Sequence, residues 1–325
     1  MIHDFPQVRG LRHFWTWATG RAKADPLTMH ERIMLDALGL GLGQTLSHCM
    51  RQRPDFTAFQ QWIAETAGIP DPVTLERYHA ARDGAATPPA AQAVLDAVDA
   101  LPPALDAADL AHWEAEGYVI VRGAVTPEAA KAAETFLWDM AEANPADPES
   151  WYASRPHGIM IEQFQHPVQT ALRQSPRVRK AYAQLWGTPD LWMTVDRMSF
   201  NPPARPGSPS IGPRLHWDVS LALPIPFATQ GILYLTDTTA DQGALELVPG
   251  FHHRIAEWLG TLRGRDPRGE DLSAEAITVA AGAGDLVIWR QDLPHGASPN
   301  RAGRPRMAQY LNMYPADLKT HAEWR

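Results

Sequence analysis

The chain has 325 residues, 45% of them apolar and 20% charged, and a formal net charge of -8 at pH 7. That length and apolar fraction predict a soluble globular protein with a large core, built as one large domain plus an appendage or as two domains. The acidic balance argues against a nucleic-acid partner, and no run reaches the roughly 18 apolar residues of a membrane span.

The opening Met1-Ile2-His3-Asp4-Phe5-Pro6 lacks the basic-then-apolar design of a signal peptide. The lone Cys49 cannot form an internal disulfide, which fits a reducing cytoplasm, and it reads as a small buried hydrophobe. Residues 1–84 read as helical. Thr28-Met29-His30-Glu31 has capping-box spacing, and Ile33, Leu35, Leu38, Leu42 and Leu46 follow at roughly helical spacing. Gly39, Gly41 and Gly43 weaken that helix or let another element approach its backbone. A second helix starts near Asp55, carries Phe56, Phe59, Trp62 and Ile63 on one face and ends near Gly68. Phe14, Trp15 and Trp17 read as core anchors or as a binding patch.

Residues 85–103 are rich in Ala and Pro and predict a linker around one short helix at 91–100. The domain boundary therefore falls here, with a helical extension and linker at 1–104 and a second domain at 105–325. In that second domain a helix at 106–116 ends at Gly117, and a strand follows at 118–121. Thr126-Pro127-Glu128 then opens another helix, with a hydroxyl cap, a first-turn proline and an acid against the dipole. Helices continue around 167–187. From Trp192 onward come short β-like runs at 192–200, 231–236, 244–248, 277–280, 285–289 and 307–314. Many short strands separated by turn signals suggest a sandwich or barrel.

Within this β-rich half stand Leu215-His216-Trp217-Asp218 and, much later, Pro294-His295-Gly296. A His-x-Asp pair is common by chance. On a strand, however, its two side chains share a face, and His295, at the end of the 285–289 strand, supplies a third ligand. Two histidines and one carboxylate leave three positions of a metal open, the arrangement of iron(II) oxygenases that bind both co-substrate and O2. The alternative keeps His216 and His295 as satisfied core or surface histidines and Asp218 as a turn residue. The adjacent His252 and His253 would face opposite ways on a strand and read as turn residues, while Trp217 points away from its neighbours into the core.

The stretch Asp241-Gln242-Gly243-Ala244-Leu245-Glu246-Leu247-Val248-Pro249-Gly250-Phe251-His252-His253 resembles the N-G-x-L-x-x-x-P-G-S-H segment of the phytanoyl-CoA dioxygenase family. Gly284-Asp285-Leu286-Val287-Ile288-Trp289, leading into Leu293-Pro294-His295-Gly296, is similar to it too. So is the domain opening Glu116-Gly117-Tyr118-Val119-Ile120-Val121-Arg122-Gly123. The resemblance covers about residues 106–316. It implies an α+β protein with a double-stranded β-helix (jelly roll, cupin-like) core and flanking helices. It also implies Fe(II), 2-oxoglutarate and O2, with His216, Asp218 and His295 as iron ligands.

By the same resemblance Arg306, eleven residues after His295, pairs with the distal carboxylate of 2-oxoglutarate, and Arg304 is the runner-up. A planar guanidinium suits that carboxylate because it binds in a bidentate manner. The family often carries a hydroxyl residue two positions past the second His; here Ala297 stands there and Ser298 is next. Tyr234 holds the position of an aromatic that lines the co-substrate pocket. The implied activity is oxidation of an unactivated C–H of a small molecule, by hydroxylation or another outcome, with release of succinate and CO2.

The substrate is not written in the sequence. Residues 201–214, with five prolines and two arginines, suggest a lid at the mouth; Arg205 and Arg214 there, Arg197 before it and Gln163 are substrate candidates. An anionic or carrier-bound substrate fits such arginines. The alternatives are the same fold acting on a carrier- or protein-bound substrate, and a non-catalytic β-helix that binds a metal or small ligand. The oligomeric state is left open.

Overall fold

A computed structural model describes residues 5–22, 27–153, 157–207, 214–321 and 323–325. The N-terminal third is helical: α1 (Leu11–Ala18), α2 (Met29–Ala37), α3 (Leu42–Gln52), α4 (Phe56–Ala67), α5 (Pro72–Asp83) and α6 (Pro89–Asp99). Thr28 caps α2 in a capping box with Glu31, and Asp55 caps α4 by accepting from the Ala58 N–H at 2.8 Å. The helix expected to run on past Leu38 instead breaks. Gly39 adopts φ 70°, and a Cβ at Gly41 would sit 2.6 Å from the Phe164 ring, so the chain bends where another element approaches it. Phe14, Ile33, Phe59 and Tyr78 are fully buried and form the core of this layer, so Phe14 anchors it, and Cys49 is buried beside them.

The helix in the Ala/Pro-rich stretch forms as α6. It buries Ala91, Leu95 and Val98 and packs against α5 and α10 (Pro176–Trp186), while Lys180 donates to the Asp99 carbonyl at 2.6 Å. Then come α7 (Ala107–Glu116), β1 (Tyr118–Val121), α8 (Pro127–Met140), β2 (Met160–Ile161) and α9 (Pro167–Arg173). After α10 follow β3 (Trp192–Met193), β4 (Met198–Asn201), β5 (Thr229–Tyr234), β6 (Leu245–Leu247), α11 (Ile255–Thr261), β7 (Ile277–Val279), β8 (Leu286–Arg290), β9 (His295–Ala297), β10 (Arg306–Tyr310) and β11 (Met313–Tyr314).

Six strands form one antiparallel sheet in the order β1-β8-β5-β10-β4-β2, and β7-β6-β9 form a second. This is a double-stranded β-helix. Period-two alternation divides the large sheet. Val287, Trp289, Tyr234 and Ala308 face the second sheet, whereas Leu286, Ile288, Leu233 and Met307 face the helices with Leu137 and Tyr182. Gly231 is needed on β5 because Tyr182 threads past it to donate to the Leu311 carbonyl at 2.6 Å; a Cβ there would lie 2.2 Å from the phenol oxygen.

The strands expected at 192–200 and 307–314 are each split. β3 and β11 leave the large sheet and pair with each other, and Trp192 and Tyr314 join the core of the N-terminal helical layer. Asp36 on α2 fixes that junction by accepting from the Tyr314 hydroxyl and from the Val195 N–H. The helical layer and the barrel thus share a core and a buried carboxylate. Among the described residues no helix is long and apolar enough to cross a membrane.

Candidate metal and co-substrate site

His216 and His295 face each other as an antiparallel bridge at the edge of the smaller sheet. Each N–H donates to the other's carbonyl, at 2.9 and 3.0 Å. The expected strand through residues 216–218 is therefore only this bridge, because Asp218 already turns away. His295 opens β9 in the smaller sheet rather than ending β8, since the chain reverses at 291–294. The convergence survives both corrections, with one ligand atom from each of His216, Asp218 and His295 lying within 4.8 Å of the others.

Backbone carbonyls set the imidazoles. His216 Nδ1 lies 2.7 Å from the Arg214 carbonyl and His295 Nδ1 3.1 Å from that of Leu293. Each ring's Nε2 is thereby turned inward, at 3.4 Å (His216) and 3.3 Å (His295) from the two oxygens of Asp218. Metal-binding histidines are oriented in this way by the bond their other nitrogen makes. Hydrogen bonds from His216 and then His295 hold the Asp218 carboxyl far below the usual carboxylate range, and the Asp218 contact raises His216. A carboxylate kept ionised between two convergent imidazoles is a donor set for a divalent iron. Gln230 on β5 donates to Asp218 at 2.7 Å, and its own oxygen accepts from the Trp289 indole at 3.1 Å, which fixes the carboxylate from behind.

The three ligand candidates line a cavity of about 310 Å³, and Arg306 closes its inner end. Arg306 is 1% exposed, yet among the described residues Ser199 Oγ at 2.9 Å is its one side-chain hydrogen-bond partner and its Nε has none. No carboxylate pairs with it among the described residues. A buried guanidinium is costly unless an anion meets it, so the cavity has a vacant partner position that suits a carboxylate. Among the described residues Ser298 Oγ and both amide atoms of the fully buried Asn201, the register partner of Arg306, are also without partners.

A family model described as phytanoyl-CoA dioxygenase (PhyH) matches residues 113–308. The chain belongs to the phytanoyl-CoA dioxygenase family. It is 29% identical over 93 residues to a putative phytanoyl-CoA dioxygenase of Dictyostelium discoideum, covering 26% of this chain and 27% of that protein. It is 32% identical over 90 residues to the dioxygenase cdmD of Talaromyces verruculosus, covering 28% and 27%. The chain thus spans about a quarter of the length of the curated relatives it matches. Among solved structures it is similar to EctD from S. alaskensis with 2-oxoglutarate and 5-hydroxyectoine. That likeness has a TM-score of 0.47 and 20% identity, and it covers 67% of this chain and 79% of that one.

The remaining sequence-predicted residues divide cleanly. Arg197 lines the cavity, with Asp196 Oδ1 3.6 Å from its Nε. Tyr234 is buried just outside it. Its hydroxyl donates to the Val279 carbonyl and accepts from the Leu245 N–H, so it ties the two sheets together, and burial pushes the phenol up to about 12. Arg304 precedes the start of β10, is exposed and reaches the Asp237 carbonyl, so it does not share the face of Arg306. Gln163 lines a neighbouring cavity and donates to the Gln165 carbonyl.

Arg205 is neutralised by Glu149 at 2.8 Å and stacks over Tyr152, and Arg214 contributes its carbonyl to His216. Of the expected lid, residues 208–213 lie outside the described residues. His252 and His253 lie in a short 3-10 turn, with both Nε2 atoms on the Glu114 carbonyl. Gln230, Thr194 and Asn312 line the cavity without having been singled out in the sequence. Gln230 was within reach, because it lies two and four residues before Ile232 and Tyr234 and so shares their inward face.

Proposed function

We propose that this protein is a non-haem Fe(II)/2-oxoglutarate-dependent dioxygenase that oxidises a C–H bond of a small-molecule substrate. One observation carries the reading: a convergent His216–Asp218–His295 set and a buried Arg306 without an anionic partner share one cavity. When bound, iron(II) with 2-oxoglutarate and O2 supplies the oxidising chemistry, with succinate and CO2 as by-products. His216, Asp218 and His295 would hold the metal, and Arg306, bonded to Ser199, would receive the distal carboxylate, with Ser298, which follows the cavity-lining Ala297, as the second hydroxyl candidate.

The chain's own work is positioning. Gln230 and the Arg214 and Leu293 carbonyls orient the ligands, the two sheets keep bulk water from the Arg306 end, and the open end near Thr194, Arg197 and Asn312 receives the substrate. Arg197, paired with Asp196 at the same wall, suits a polar substrate group, and a cavity of about 310 Å³ favours a small substrate. A cytoplasmic location accords with the single, buried cysteine. The division into a helical extension at 1–104 and a dioxygenase domain at 105–325 is retained as an organisational reading. Calorimetric titration of Mn(II)-loaded protein with 2-oxoglutarate tests the proposal. Stoichiometric, metal-dependent binding is expected, and an absence of binding would overturn it.

A further inference from the structure

A second cleft, of about 850 Å³, opens between the N-terminal helical layer and helices α9 and α10, and it shares no lining residue with the cavity of the metal site. Arginines from three elements line it: Arg77 of α5, Arg173 at the end of α9 and Arg179 of α10, with the Trp192 indole of β3 among them. Arg77 is satisfied. It pairs with Asp190, donates to the Leu191 carbonyl at 2.9 Å and lies over the Trp192 ring at 4.1 Å.

The other two are not satisfied. Arg173 is 8% exposed and spends Nη2 on the Asp196 carbonyl at 2.7 Å, leaving its Nε without an acceptor. Arg179 Nε and Trp192 Nε1 are likewise buried without acceptors among the described residues, the indole in a residue 3% exposed. Among the described residues no carboxylate lies within ion-pair distance of Arg173 or Arg179. The cleft's acids make their hydrogen bonds elsewhere: Asp36 accepts from Tyr314 and Val195 and acts on Arg173 only as a nearby charge, together with Asp196, and Asp71 caps α5 by accepting from Thr74.

One buried and one half-buried guanidinium, with three buried N–H donors that lack acceptors among the described residues, all from residues lining one cleft, are costly to fold unless something negative sits there. Burial drives Arg173 down to about 10, and Arg179 is lowered by burial and by Arg77, a cost that an incoming anion reverses. We propose that this cleft is a binding site for an oxyanion, the phosphate or carboxylate group of a small molecule, received by Arg173, Arg179 and the Trp192 indole. The volume exceeds that of a bare ion, so the ligand carries a further body, for which the exposed Ile69 offers an apolar contact. The site lies one hydrogen bond from the first cavity, because the Asp196 held by Arg173 lines that cavity's wall.

The test is titration of the full-length chain with sodium phosphate and, separately, sodium acetate, at an ionic strength held constant with chloride. The readouts are calorimetry and the thermal midpoint. A saturable rise with either anion is expected, weakened at least tenfold in Arg179→Gln and in Arg173→Gln. A response to phosphate alone assigns a phosphate-bearing ligand, and a response to acetate assigns a carboxylate. Among the described residues Arg179 makes no side-chain hydrogen bond or ion pair, so Arg179→Gln alone suffices if Arg173→Gln fails to fold. No saturable effect beyond chloride, or unchanged affinity in Arg179→Gln, overturns the proposal.

Discussion

His216 and His295 exchange both backbone hydrogen bonds, and this one pairing brings two histidines 79 positions apart in the chain to a ring-centroid separation of 4.7 Å. Their Nε2 atoms meet the two oxygens of Asp218 because each Nδ1 is held by a carbonyl two residues before it. The geometry of the candidate metal site therefore rests on a bridge at a sheet edge, supported by Gln230 from the opposite sheet.

Gln230→Leu removes the hydrogen bond to Asp218 and leaves the Trp289 indole without its acceptor. Losing such an outer partner costs metal affinity by about 10- to 100-fold. Competition with a metal indicator dye measures it. Affinity equal to wild type would show that Asp218 is oriented without Gln230.

Arg306→Lys keeps the charge but loses the planar fork, in a site where the guanidinium is 1% exposed. The dissociation constant for 2-oxoglutarate should rise tenfold or more, about 1.4 kcal/mol or above, with metal affinity little changed. Calorimetry on metal-loaded protein reads both. A parallel loss of metal binding would instead indicate a collapsed cavity.

Gly41→Ala places a methyl 2.6 Å from Phe164 Cδ1 and 3.0 Å from the Val195 carbonyl, although its backbone conformation is ordinary. Overpacking at this contact between the helical layer and the barrel should destabilise by about 1–3 kcal/mol. The midpoint of urea unfolding checks it, and an unchanged midpoint would mean that the two layers separate freely.

Asp36 is raised from 3.8 to about 7, chiefly by burial, and it faces the Tyr314 hydroxyl, the Val195 N–H, Arg32 and Asp196. A raised carboxyl binds a proton in the folded state where the unfolded chain has already lost it. The stability it confers is therefore full below about 4 and is lost as pH rises towards 7. Each unit of such a shift is worth about 1.4 kcal/mol. Asp36→Asn should flatten the fall in stability across that window, as followed by denaturant unfolding at a series of pH values. An unaltered slope would place the proton elsewhere.

What was legible in the sequence was what depends on local spacing and ordered motifs. Thr28 and Asp55 announce their helices through capping chemistry, and the short β-like runs separated by turn residues mark the strands of the second domain. The convergence of His216, Asp218 and His295 followed from the motifs around them. Features created by distant partners were not legible. The glycines at 39–43 marked the weak point in their helix, but not that Phe164, more than 120 residues later, is what approaches it, and the split at 194–197 depends on Asp36 and Tyr314 pulling β3 and β11 away from the large sheet. Tyr234 matched by position, yet its hydroxyl is committed to the other sheet, which only tertiary structure reveals. Arg173 and Arg179 were not singled out in the sequence, because only the helical layer packed beside them makes the cleft.

The central claim is tested most directly by anaerobic titration of metal-free protein with Fe(II) and then 2-oxoglutarate, watching for a weak visible metal-to-ligand charge-transfer band in wild type, His216→Ala and Arg306→Ala. The account predicts a band in wild type, none in His216→Ala, and one reached only at much higher 2-oxoglutarate in Arg306→Ala. Iron that binds without producing a band, or a band undiminished in His216→Ala, would contradict it.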